Sequence, residues 1–227
     1  MFKANIVSTL LVTLTVIIGQ SAYPDAEANA QTTETLELTD FAEFVNTEAN
    51  ALSREEVETQ APERVIPDAL RMVEDYEGAV IFIDEGAGYQ NSFYLDTQSS
   101  SDLIFENVSC VVSSCVKPNL TLTPEQGVTP GQRVSFSFRA GDVLTPKLLV
   151  NGALSPAEQV YWSNVTRDNV DGHQHVMAWK HNGYLVIGFE DMDFRNPDND
   201  KDYNDLVFVF DIGARNLENL PSFLFAD

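Results

Sequence analysis

The sequence predicts an all-β protein: an antiparallel β-sandwich of jelly-roll or Greek-key type, with a short, partly helical N-terminal extension. Three observations support this prediction. Residues 77–213 contain short runs rich in Val, Ile, Phe and Tyr, which are typical of strands. Clusters of Gly, Pro, Asn and Asp separate these runs, and no helical pattern lies between them. Asn182-Gly183 is a strong signal for a two-residue hairpin.

Eight segments are predicted strands. In chain order they are GAVIFID, NSFYLD, RVSFSFRA, PKLLVNG, QVYWS, HVMAWK, GYLVIGF and LVFVFDI. RVSFSF alternates apolar and polar residues, so one of its faces should be buried and the other wet. The hairpin signal falls between HVMAWK and YLVIGF, which should therefore be antiparallel neighbours.

The first 30 residues have the pattern of a secretory signal peptide. Lys3 is followed by an apolar run over 6–18, and Ala28-Asn29-Ala30 is a small-x-small cleavage site. No second long apolar segment follows. We therefore expect a secreted, periplasmic or cell-surface protein with no membrane span after removal of the signal peptide.

Residues 31–76 form an extension that we expect to be partly helical or disordered. Apolar residues recur there at roughly helical spacing, namely Leu36, Phe41, Phe44, Val45 and Leu52. Thr39 is a plausible N-cap, and a second helix is predicted to start at Pro67 and run through Tyr76. Residues 214–227 form a C-terminal tail.

Charge and cysteine content restrict the function. The formal net charge of −22 argues against nucleic acid and anionic membranes as partners, because both would repel the chain. The two cysteines, Cys110 and Cys115, stand close together in CVVSSC. In an exported protein this pattern predicts one local disulfide. A redox or metal pair is the alternative, but the spacing is not C-x-x-C and no His is near in sequence.

A dense acidic loop is the main candidate for a functional site. Between residues 190 and 205 there are seven carboxylates against Arg195 and Lys201, a net charge of about −5. Two carboxylates about 5 Å apart repel by roughly 3 kcal/mol at an effective dielectric of 20. A bound cation would relieve this repulsion, and calcium takes carboxylate and carbonyl oxygens as ligands. The predicted metal ligands are Glu190, Asp191, Asp198, Asp200, Asp202 and Asp205.

The loop is not an EF-hand. Asp198, Asp200 and Asp202 have the spacing of its first three ligands, but Tyr203 stands at the Gly position and Val209 at the bidentate Glu position. The prediction is calcium between two strands, with Asn204 offering an amide oxygen or holding the turn and Tyr203 anchoring the loop in the core. The alternative is a solvated acidic turn without metal.

Several segments carry a resemblance to a known family. The acidic loop and its flanks read GFEDM…DKDYNDLVF. Four segments before it read GAGYQNSFYLD, TPGQRVSF, AGDVLTPKLLVNGA and DNVDGHQHVMAW. Together, over about 80–213, they resemble a family of secreted bacterial proteins known as domain of unknown function DUF4114, which opens with GAGY-x-N. The LruC-type C-terminal domain has a similar FED…D-Y-N-D pattern. The family usually has Gly-Gly where Asp198-Asn199 stands, so the ligand set can differ here.

The resemblance implies an extracellular, calcium-bound β-domain and no reaction. We therefore expect a non-enzymatic, calcium-binding module with a binding, adhesive or structural role, and extracellular carbohydrate or protein as candidate partners. The alternative is a secreted hydrolase acting on polysaccharide through the loop carboxylates, but this loop has more acids, closer in sequence, than a simple catalytic pair needs. Zinc at His173 and His175 with Asp168 and Asp171 is disfavoured, because no Cys or third clustered His completes the set.

Overall fold

The computed structural model describes residues 38–52, 64–109, 127–153 and 160–222 of the 227-residue chain. Three sequence predictions lie outside the described residues: the signal peptide (1–30), the disulfide between Cys110 and Cys115, and the end of the C-terminal tail (223–227).

Ten strands and two α-helices are present within these ranges. The strands are β1 (Arg64–Val65), β2 (Tyr76–Glu85), β3 (Ser92–Asp96), β4 (Ser101–Phe105), β5 (Arg133–Phe138), β6 (Thr145–Leu149), β7 (Tyr161–Ser163), β8 (Val176–His181), β9 (Tyr184–Phe189) and β10 (Leu206–Asp211). The helices are α1 (Leu38–Leu52) and α2 (Ala214–Asn219). Neither helix, in the part of the chain that is described, has the length and apolar character needed to cross a membrane.

The strands form two antiparallel sheets. The large sheet has the order β1-β8-β9-β10-β2-β5, and the small sheet has the order β4-β3-β6-β7. In the large sheet, β8 and β9 form the predicted hairpin, with His181 paired to Tyr184. Asn182 and Gly183 have φ values of 49° and 81°, the positive angles that this two-residue turn requires. The hairpin prediction is therefore confirmed.

The core lies between the sheets and is dominated by aromatic rings. The Phe93 ring on β3 stacks on the Phe208 ring on β10 with 4.2 Å between centroids. Phe82 on β2 meets Phe105 on β4 at 6.4 Å. Because side chains alternate along a strand, Phe208 and Phe210 both point into this core. The prediction of an all-β sandwich is confirmed.

Helix α1 covers the other face of the large sheet. Val207 and Val209 of β10 point away from the aromatic core, yet both are buried. On the helix, Phe41 and Val45 are also buried, which agrees with the apolar spacing seen in the sequence. The Phe41 ring packs edge-on against Tyr184 of β9, with 5.7 Å between centroids. The helix therefore shields a second apolar layer from water.

The predicted helix from Pro67 to Tyr76 is wrong beyond its first turn. A 3₁₀ turn spans Pro67–Ala69, and the chain then becomes extended. The reason is tertiary: the Met72 N–H donates to Asp142 O at 2.8 Å, and Leu70 O accepts from Leu144 N–H at 2.9 Å. Leu70 and Met72 are buried in the sandwich core, so packing outweighs the local helical preference.

We predict that Phe41→Ala lowers the free energy of unfolding by about 3 kcal/mol, because it removes a ring that is only 2% exposed. Urea denaturation with a fluorescence readout measures the change. Glu43→Ala is the matched control, because it lies on the exposed side of the same helix and should change stability by less than about 0.5 kcal/mol. Equal effects of the two substitutions would contradict the packing of α1 on the sheet.

Candidate metal centre

The acidic loop, residues 190–205, connects β9 to β10. Because Phe189 pairs with Leu206 across these strands, the two ends of the loop start side by side. The register therefore brings Glu190 and Asp205 together, although they are far apart in sequence. Three carboxylates near this junction form an inner triad: Glu190, Asp191 and Asp205, with potential ligand atoms within 4.8 Å of one another.

Glu190 is the most constrained acid of the loop. Its side chain is 1% exposed, and its Oε1 accepts a long hydrogen bond from the Met192 N–H at 3.4 Å. When Glu190 and Asp205 are both ionised, no donor among the described residues reaches its buried Oε2. Burial, followed by the charge of Asp205 and a proton shared with it, raises the pKa of Glu190 to about 10. If both carboxyls ionise, no proton remains to share, and Glu190 Oε2 faces no donor.

The rest of the inner triad is held by hydrogen bonds. The Asp191 N–H donates to Asp205 Oδ2 at 2.8 Å, and Asn91 Nδ2 donates to Asp191 Oδ2 at 2.8 Å. Asn91 lies just before β3 of the small sheet, so it orients an acid that lies just after β9 of the large sheet. These hydrogen bonds therefore fix the orientation of both carboxylates.

A second group, the outer triad, consists of Glu190, Asp200 and Asp202, again with ligand atoms within 4.8 Å. Asp200 is exposed and Asp202 is half-buried. Lys201 and Tyr203 adopt positive φ values of 59° and 58°, which turn the chain sharply on either side of Asp202. Burial, followed by the charges of Asp200 and Asp205, raises the pKa of Asp202 to about 6 despite a hydrogen bond from the Asn204 N–H.

Tyr203 anchors the loop as predicted. Its side chain is buried, and its hydroxyl donates to Gln174 O at 3.0 Å. Asn204 holds the turn through its N–H, while its Nδ2 donates to Asn46 Oδ1 on α1 at 2.9 Å. Helix α1 therefore reaches the acidic loop as well as the sheet.

Two other acids of the loop stand apart. Asp198 is exposed, and neither triad among the described residues includes it, so its role as a ligand stays a prediction. Asp193 pairs with Arg195, whose side-chain and backbone hydrogen bonds lower the pKa of Asp193 to about 2. Arg195 is thus directed towards Asp193.

Behind the loop, two stacked rings hold its backbone. Trp162 Nε1 donates to Asp191 O at 2.8 Å, and His175 Nδ1 donates to Glu190 O at 2.8 Å. The two rings lie 3.8 Å apart and are nearly parallel. Sequence reasoning missed this role of Trp162, because an aromatic residue in a strand is typical of any core. It also missed Asn91, whose only signal is its place in the GAGY-x-N segment.

His175 is a support of the loop. Its Nε2 lies 2.9 Å from Asp171 Oδ2, which also accepts the Phe194 N–H. Burial would raise the pKa of Asp171, but the N–H groups of His173 and Phe194, together with His175, hold it below its usual value. His173 stacks on Phe194 instead, and neither triad found among the described residues contains a histidine.

One family model matches part of the chain. Residues 129–213 match the family model described as Domain of unknown function (DUF4114). This match confirms the DUF4114 resemblance for β5 to β10 and the whole acidic loop, and it ends at the residue predicted from the sequence. No curated protein and no solved structure is significantly similar to the chain.

We predict that the metal-free protein loses stability as pH rises from about 5 to 8. Glu190 has an ordinary pKa of 4.5 and a pKa near 10 in the fold, so the folded state keeps a proton that the unfolded chain has lost. Stability from this group is complete below the unfolded pKa and declines towards the folded one. Urea denaturation in EDTA over this pH range measures the slope.

Glu190→Gln should flatten that slope, because Gln does not titrate. The exposed Glu218→Gln should leave it unchanged and serves as the matched control. The histidines contribute equally to the slopes of the wild type and of Glu190→Gln, so the difference between the two slopes is the contribution of Glu190. Identical slopes would show that Glu190 titrates normally.

We predict that Gly188→Ala destabilises the protein by about 2 kcal/mol. A Cβ at this position of β9 would lie 2.3 Å from Tyr203 O, so the acidic loop would have to move away from the strand. Thermal or urea unfolding measures the loss. Gly86→Ala is the control, because its Cβ would meet Asn204 O at an ordinary 3.4 Å. A neutral effect of Gly188→Ala would contradict the close approach of loop and strand.

Proposed function

We propose that this chain, whose residues 129–213 carry a DUF4114-type domain, is an exported calcium-binding β-sandwich module. Its role is non-catalytic: binding, adhesion or structure at the cell exterior. The observation that carries the proposal is Glu190, a carboxylate that is 1% exposed, belongs to both acid triads and has an Oε2 without a donor among the described residues. A buried ionised carboxylate beside other carboxylates is costly unless a cation or proton compensates it.

The donor set favours calcium over other common ions. Both triads offer only carboxylate oxygens, which suit hard cations rather than zinc or copper. Calcium accepts six to eight oxygens in flexible geometry, whereas magnesium demands a near-ideal octahedron and keeps several waters. An irregular loop that presents acids from both of its ends fits the more tolerant ion.

The geometry supports a non-catalytic role. A glycosidase places two carboxyl groups across a cleft, about 5 to 9 Å apart, with access to the sugar. Here Glu190 is buried, and the ligand atoms of each triad lie within 4.8 Å of one another. Such packing suits an ion between the oxygens rather than a sugar.

Export rests on the sequence alone. The signal peptide pattern in residues 1–30 and the net charge of −22 fit a protein that works outside the cytoplasm, where calcium is abundant. Extracellular carbohydrate or protein is the proposed partner. Screening on a glycan array, with turnover of a labelled polysaccharide as the enzymatic test, would separate a binding module from a hydrolase.

The metal proposal is tested by thermal unfolding of the purified protein in EDTA, in excess calcium and in excess magnesium. With free ion at 100 times its dissociation constant, binding adds about 2.7 kcal/mol. For a domain of this size we expect the melting temperature to rise by about 5 to 10 °C in calcium, and by much less in magnesium. Isothermal titration calorimetry measures the dissociation constant directly.

Glu190→Gln is the decisive variant. It should abolish the calcium-dependent rise, yet in EDTA at pH 8 it should be at least as stable as the wild type, because Gln is neutral without the proton that Glu190 has to take up when the metal-free protein folds. Glu218→Gln, the same change at an exposed position, should behave like the wild type. An unchanged melting temperature with calcium would overturn the metal proposal and leave the acidic loop as a metal-free turn.

A further inference from the structure

The carboxylates of the acidic loop gather in two groups. Asp191 and Asp205 lie with Glu190 in the inner triad, whereas Asp200 and Asp202 lie with Glu190 in the outer triad. We propose that the loop holds two calcium ions, one in each triad, bridged by the Glu190 carboxylate. This inference rests on the proposed calcium-binding function and adds the number and arrangement of the ions.

The distances between ligand atoms divide the five acids into two groups. Calcium–oxygen bonds are about 2.3–2.6 Å long, so two ligands of one ion are at most about 5 Å apart. Ligand atoms within each triad lie within 4.8 Å of one another and meet this limit. The two triads have only Glu190 in common, and Asp191 and Asp205 do not join Asp200 and Asp202 in one group at this distance.

Glu190 has the features of a bridging ligand. It is the member common to both triads, it is 1% exposed, and no donor in the described part of the chain reaches its Oε2. A carboxylate has two oxygens and can therefore bind an ion on each side. Its place at the end of β9, fixed by the pairing of Phe189 with Leu206, holds it beside Asp205 at the other end of the loop.

The charge balance also favours two ions. The five carboxylates carry about −5 when ionised; one calcium ion would leave about −3 and two would leave about −1. The two basic residues of the loop are engaged elsewhere. Arg195 pairs with Asp193, and Lys201 Nζ lies 5.6 Å from the centre of the Phe194 ring.

The two positions should differ in affinity. In the inner triad, Asp205 is oriented by the Asp191 N–H and Asp191 by Asn91. In the outer triad, Asp200 is exposed and must lose side-chain freedom when it binds. Because preorganised ligands bind more tightly, we expect the inner ion to bind first and the outer ion at least tenfold more weakly.

The test is the number of calcium ions bound by the purified, chelator-stripped protein. Native mass spectrometry counts the ions, and isothermal titration calorimetry resolves the two affinities. We expect two ions per chain in the wild type. Asp200→Asn/Asp202→Asn should keep only the tighter ion, because it changes the outer triad alone, and Asp102→Asn on β4 should keep both.

Asp205→Asn completes the test, because it changes the inner triad and keeps an oxygen that can accept the Asp191 N–H. It should raise the dissociation constant of the tighter calcium ion at least tenfold. One ion in the wild type, or loss of both ions in Asp200→Asn/Asp202→Asn, would overturn the two-ion inference while leaving calcium binding intact. No bound ion in the wild type would overturn the proposed function as well.

Discussion

Glu190 is the first residue after β9, and the pairing of β9 with β10 sets Asp205 beside it. The Glu190 side chain is only 1% exposed, so bulk water does not solvate its carboxylate. A group in direct contact must therefore compensate its charge. A proton can do this, which is why the pKa of Glu190 rises to about 10 in the absence of metal. A cation can do it at neutral pH without that shift. The remaining acids of the loop add negative potential around the same point, which strengthens the attraction of this position for a cation.

The fold was largely predictable, because the strong signals were local. Residues such as Val207 to Phe210 alternate within a β-branched and aromatic run, and Asn182-Gly183 determines its own turn. Two strands were missed. In β4, three of five residues are exposed and Asp102 interrupts the run, so its sequence resembles a loop. The two-residue β1 is a strand only because β8 offers it a free edge.

The site was predictable in composition but not in geometry. The density of acids showed that residues 190–205 need compensation, and the arithmetic of repulsion does not depend on the fold. The grouping into two triads does depend on it, because the pairing of β9 with β10 brings the ends of the loop together. The contributions of Asn91 and Trp162 come from residues 100 and 29 positions before Asp191, and no local pattern shows such contacts.

These distant contacts place the acidic loop at a junction of the whole sandwich. Asp191 follows the large sheet, but it accepts hydrogen bonds from Asn91 and from Trp162 of β7, which belong to the small-sheet side. Asn204 adds helix α1 to the same junction through Asn46. Because the unfolded chain cannot assemble these elements, free energy gained by an ion in the loop is also folding free energy. Under the calcium proposal, an ion that draws the acids together would tighten the contact between the sheets and the helix, so that its binding would stabilise the whole sandwich rather than one loop.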